Sequence, residues 1–130
     1  NNIDKYKVFV PESNGSGTFG ETLSTPVVAM PGESATPTFI SIGCFDTELE
    51  AKNLLKYVKT KFTRALLGLC KKTQHNPVGS WSYIPIQGFT SHSDINWNSS
   101  ISSIDKQLFS KYHLAEDEVD FIETHVQPMK

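Results

Sequence analysis

The residues most suggestive of chemistry lie early in the chain. Gly15-Ser16-Gly17-Thr18-Phe19-Gly20 spells GxGxxG directly after the apolar run Tyr6 to Val10. In a dinucleotide fold such glycines open a helix whose N-terminal amides hold a pyrophosphate. Here Glu-Thr-Leu-Ser-Thr-Pro follows, and Pro26 leaves no room for that helix. A kinase phosphate loop needs a lysine on the next strand, yet none occurs between Lys7 and Lys52, and His-Arg-Asp and Asp-Phe-Gly are both missing. What remains is a small polar loop whose Asn14 and Ser16 offer donors to a phosphate chain or a base.

No other cluster forms a catalytic signature. Serines are plentiful, but no GxSxG elbow singles one out as a nucleophile. Asp46, Glu48 and Asp94 could be assembled into a metal-nuclease cluster, but the Pro-Asp and Glu-x-Lys elements of such a site are absent. Cys44 and Cys70 stand outside any CxxC spacing, and His75, His92, His113 and His125 fall at unrelated intervals. No metal site is expected from them, because zinc requires three or four convergent ligands. The two cysteines read as reduced thiols of an intracellular protein.

Charge distribution is more informative than net charge. Between Ala51 and Ser93 there is no Asp or Glu, while Lys52, Lys56, Lys59, Lys61, Arg64, Lys71 and Lys72 supply seven positive charges. The rest of the chain holds 5 basic and 14 acidic residues. A block this one-sided sets up a local positive field suited to a polyanion. Lys71-Lys72-Thr73-Gln74-His75-Asn76 continues it with groups that read base edges: Gln and Asn pair with adenine, Lys with guanine or phosphate.

These residues need a scaffold. Short β-branched runs at Tyr6 to Val10, Val27 to Met30 and Phe39 to Ile42 predict strands joined by loops, with Trp81 to Ile86 as a fourth candidate broken by Pro85. Thr47 and Glu50 form a capping box. Apolar residues then recur from Ala51 to Leu69 in steps of three and four, predicting an amphipathic helix over about 47–69, or two helices meeting near Gly68. Ile101, Ile104, Leu108 and Tyr112 mark a short helix, and Glu116-Asp117-Glu118 open another. The expected architecture is α+β: a small antiparallel or mixed sheet of about three to four strands packed on one long amphipathic helix plus short C-terminal helices. Residues 1–130 read as a single domain. The chain opens on Asn1 rather than Met and is expected to be a piece of a longer protein; no membrane-spanning run is present and a cytoplasmic location is expected.

Three segments, VFVPESNGSGTFGETLSTPVV, FISIGCFDTELEAKNLLKYVKTKFTRALLG and WSYIPIQGFTSHSDINWNSSISSIDKQLFSKYHLAEDEVDFIE, together resemble the C-terminal region of adenine-specific DNA methyltransferases of restriction–modification systems. Fused type II enzymes that also carry an endonuclease are among these. The resemblance covers nearly the whole chain in order. The Asn-Pro-Pro-Tyr-type catalytic motif is lacking, since Asn76-Pro77-Val78-Gly79 shares only its first two residues. The resemblance therefore implies the non-catalytic target-recognition part, holding double-stranded DNA while the parent's catalytic domain, with S-adenosylmethionine as its cofactor, flips the adenine. No cofactor is expected within this fragment. Ala115 departs from the pattern, which often has serine before the acidic run, and weakens a helix cap. The DNA-contacting candidates are the seven cations with Gln74, His75, Asn76, Asn14 and Ser16. Two other function classes are kept open: an interaction module using the basic helix, and a self-sufficient metal-dependent endonuclease fragment.

Overall fold

Tyr6–Pro11 is buried on both faces from Lys7 to Val10, as suits the central strand of a sheet. A computed structural model describes residues 5–11, 26–33, 39–73 and 84–129. In it β1 (Tyr6–Pro11) lies between β2 (Val27–Ala29) and β3 (Phe39–Phe45), antiparallel to both. Val8 faces Val28 on one side and Ile42 on the other, and Val8 and Val10 turn inward to the core. The β1–β3 ladder carries a bulge. The two steps along β1 from Val8 to Tyr6 are matched by three along β3 from Ile42 to Phe45. Gly43 takes up the extra residue at φ +78°, a backbone conformation that glycine adopts without strain.

Thr47 N-caps the helix as its sequence predicts, although Glu50 turns back to the Thr47 hydroxyl instead of the amide that a full capping box would use. Thr47 Oγ1 accepts from the Glu50 amide at 3.3 Å and donates to Glu50 Oε1 at 2.9 Å, opening α1 (Glu48–Lys59). The amphipathic stretch then divides. Thr60 is extended, and α2 (Lys61–Thr73) starts afresh, so the expected single helix is two, meeting at Thr60 rather than near Gly68, which is buried within α2. The hydroxyl of Thr60 donates to the Tyr57 carbonyl at 2.7 Å and accepts from the Thr63 amide at 3.1 Å. One buried side chain thus ends one helix and begins the next.

Helix α3 (Ile101–Lys111) is N-capped by Ser100 and α4 (Glu116–His125) by half a capping box. Ala115 offers no side-chain acceptor, but the Glu118 carboxylate accepts its backbone N–H at 2.7 Å. Between them, His113 takes φ 55°; its N–H reaches the Ser110 carbonyl and that of Leu114 reaches Phe109, closing α3 with a Schellman motif. Helix α1 lies across the sheet, with α2 and α3 beside it. Val8, Val10, Leu54, Val58, Phe62, Ile104 and Leu108 form the core, flanked by Tyr57, Phe89 and Trp97.

Residues 84–100 carry no regular element, so the proposed fourth strand does not extend over Ile84 to Ile86; Trp81, Ser82 and Tyr83 lie outside the described residues. The segment is held by its backbone. Asn53 donates to the Phe89 carbonyl at 2.7 Å, Tyr57 to Pro85 at 2.8 Å, and Trp97 Nε1 to Gly88 at 2.8 Å. Gln107 accepts from the Asn96 amide at 2.6 Å. Side chains therefore satisfy the polar groups that a ladder would otherwise pair.

Candidate nucleic-acid interface

The seven cations of the acid-free block all fall on α1 and α2, and the structure sorts them. Lys52 is exposed, with Glu48 one turn back at 3.7 Å, a pair that water screens strongly. Lys59 sits partly exposed in the last turn of α1, where a cation suits the negative end of the helix dipole.

Three others are engaged in the fold. Lys56 donates to the Trp97 carbonyl at 2.7 Å and helps fasten the irregular segment. Lys61 reaches α4, donating to the Glu123 carbonyl at 3.1 Å with its carboxylate at 3.5 Å. Arg64 is only 2% exposed, so it shares no surface with Lys52 or Lys59. The break at Thr60 explains this. A single helix would carry Arg64 along the flank of the basic face, whereas restarting at Lys61 resets the phase and turns Arg64 inward.

Inside, Arg64 faces Asp105 of α3. Burial lowers the guanidinium's pKa, and the Asp105 charge opposes that shift. Asp105 is itself buried, which raises its carboxyl above the ordinary carboxylate value. The amides of Phe62 and Lys61, together with Arg64, pull the other way, while Glu123 adds to the rise.

Lys71 and Lys72 belong to the last turn of α2, with side chains outside the described residues. Gln74, His75 and Asn76, which follow them, and Asn14 and Ser16 of the glycine loop also lie outside the described residues. The structure thus leaves Lys52 and Lys59 exposed or partly exposed on α1, seven positions apart, and places Lys71 and Lys72 at the C-terminal end of α2.

The acids considered for a metal cluster are separated among different lysines. Asp46 pairs with Lys5, Glu48 with Lys52, and Asp94 with Lys111 at 3.0 Å. Among the described residues no three His, Cys, Asp or Glu side chains converge. Nor is any helix there long and apolar enough to cross a membrane.

Sequence reasoning missed a buried polar relay beside this face. Lys111 donates to Gln87 Oε1 at 2.7 Å, and Gln87 Nε2 donates to the Tyr112 hydroxyl at 2.6 Å. Gln87 also approaches the Tyr57 hydroxyl at 3.4 Å. Burial pushes the Tyr57 phenol up to about 12. Gln87 sits in an irregular stretch with no periodicity, so nothing in its sequence context marks it as interior. The relay fixes the 84–100 segment against α1 and α3, and its Tyr57 and Gln87 line a largely apolar pocket of about 320 Å³ with Ile42, Leu54 and Phe89.

No protein-family model, curated protein or solved structure matches the chain.

Proposed function

We propose that this chain is the DNA-holding, target-recognition part of an adenine-specific methyltransferase from a restriction–modification system, non-catalytic by itself. Its partners would be double-stranded DNA and the S-adenosylmethionine-dependent catalytic domain of the same parent chain, in the cytoplasm. The observation that carries the reading is that two consecutive helices hold all seven cations of an acid-free stretch, with Gln74, His75 and Asn76 next in sequence after the second. Phosphate contacts position such a domain, and loop side chains specify the site.

The contact set is narrower than charge alone suggests. Lys52, Lys59, Lys71 and Lys72 are the phosphate-facing residues of the proposal; Lys56, Lys61 and Arg64 serve the fold. The test is fluorescence anisotropy of the full chain with a mixed-sequence duplex across a salt series. Charge reversal at Lys52 and Lys59 together should weaken binding to every duplex and reduce the salt slope by about two units. Unchanged affinity with unchanged slope removes this face from DNA binding.

The rival interaction module gains support from one contact: Lys61 already engages Glu123 of the acidic α4. In that reading the basic block meets the acidic end of its own chain, and the double reversal leaves DNA affinity untouched.

A further inference from the structure

Helix α4 is anomalous for its position. It has ten residues, a length at which an isolated helix is marginal in water, yet none of those residues is buried. Val119 and Ile122 are half-covered against the core, while Phe121 remains 49% exposed, its ring stacked on His125 at 4.2 Å. Its ends are fixed: Glu118 caps the start, and buried Val126 returns the chain to the core.

Between α2 and α4 runs an apolar groove of about 500 Å³. Phe62, Ala65, Leu66, Leu114 and Ile122 form its floor and Phe121 one wall. Asp117 and Glu118 stand at its edge, and Glu116 and Asp120 are exposed on the same helix. Of the five acids of α4, Glu123 is paired with Lys61. The helix has no lysine or arginine. The groove is therefore apolar along its bed and anionic along the edge that α4 contributes.

We propose that this groove docks a cationic amphipathic helix from a partner polypeptide. Two helices with a shared apolar furrow accept a third by ordinary bundle packing. Helix α4 is about 15 Å long at 1.5 Å per residue, which accommodates roughly three turns of partner presenting apolar anchors at i, i+3, i+4 and i+7. The acidic rim selects lysine or arginine beside those anchors and repels a polyanion, so this surface is separate from any DNA-contacting one. The proposal does not rest on the DNA-binding reading.

The test uses the full chain and a fluorescein-labelled leucine–lysine peptide of about four helical turns, its leucines at helical spacing. The peptide binds, and Phe121→Ser and Asp117→Lys each weaken it by about tenfold or more, which is the loss of one anchor or one charge at the groove. Both positions are exposed, and circular dichroism melting verifies that each variant keeps its fold. A leucine–glutamate peptide of the same spacing, and a leucine–lysine peptide of scrambled spacing, bind at least about tenfold more weakly. Absence of binding, equal binding of the scrambled peptide, or wild-type affinity in both variants overturns the proposal. So does a concentration-dependent dimer in sedimentation that Phe121→Ser abolishes, since that assigns the groove to a second copy of the chain.

Discussion

Asp105 on α3 caps α2 from a distance of 43 positions: its Oδ1 accepts the Phe62 amide at 2.9 Å, and its Oδ2 accepts that of Lys61 at 3.1 Å. The first turn of a helix leaves its amides without internal partners, and its dipole favours an anion there. A carboxylate from another helix meets both needs and ties α2 to α3.

Replacing Asp105 with Asn turns one acceptor into a donor facing a backbone N–H. The expected loss is about 2 kcal/mol of stability, read from the urea midpoint at unchanged m-value. Arg64 would also lose its nearby counter-charge inside the core.

The pH dependence of that loss has a definite sign. Burial raises the folded-state pKa of Asp105 above its unfolded value, so its titration contributes stability that is fully present below the unfolded pKa. That contribution is lost as pH rises through the folded value. Wild type and Asp105→Asn should therefore differ more at acid pH, below the ordinary carboxylate value, than at neutrality. Denaturant titrations of both proteins across this range check the sign.

At the alkaline end Tyr57 governs. Its phenol is raised from 10.0 to about 12, so between these values the unfolded chain ionises while the folded one keeps its proton. Stability falls as pH rises through that window, by up to roughly 3 kcal/mol for a shift of about two pKa units. Tyr57→Phe should lack this component and unfold at a less pH-dependent midpoint, although it gives up the 2.8 Å bond to Pro85. Absorbance at the tyrosinate band, followed alongside denaturation, separates Tyr57 from the other tyrosines.

Gly43→Ala should destabilise by about 1–3 kcal/mol. The left-handed backbone there disfavours any side chain, and a Cβ would lie 2.6 Å from both Leu54 Cδ2 and Phe45 Cε2. Thermal melting measures the cost.

Lys56→Met distinguishes a fold-supporting lysine from a phosphate-binding one. It should lower stability by about 1 kcal/mol through loss of the bond to the Trp97 carbonyl, and leave the salt slope of DNA binding unchanged. A slope reduced by about one unit would return Lys56 to the contact set.

Local signals were the legible ones. The N-cap at Thr47, the three strand runs, the two C-terminal helices and the α+β arrangement follow from spacing and caps acting over a few residues. The break at Thr60 does not, because no Gly or Pro punctuates the apolar period. Its only local sign is a threonine three residues before another, a weak N-cap signature in a stretch whose periodicity argues for continuity. The deciding partner, Asp105, lies on a different helix. Missing the break also misplaced Arg64, since a phase carried across Thr60 keeps it on the outside. Of the candidate site, the concentration of cations on α1 and α2 was legible. Their division into exposed and structural lysines depends on Trp97 and Glu123, distant in sequence.

The segment at 84–100 is gripped by its carbonyls and amides, through Asn53, Tyr57, Trp97, Lys56 and Gln107. Such a grip dictates the path of the chain while leaving the exposed side chains of Ser91, His92 and Asn98 largely unspecified. Those three positions are substitutable points on a fixed track. Their chemistry can be exchanged by mutation without rebuilding the scaffold, which makes them a natural place to install a new binding preference.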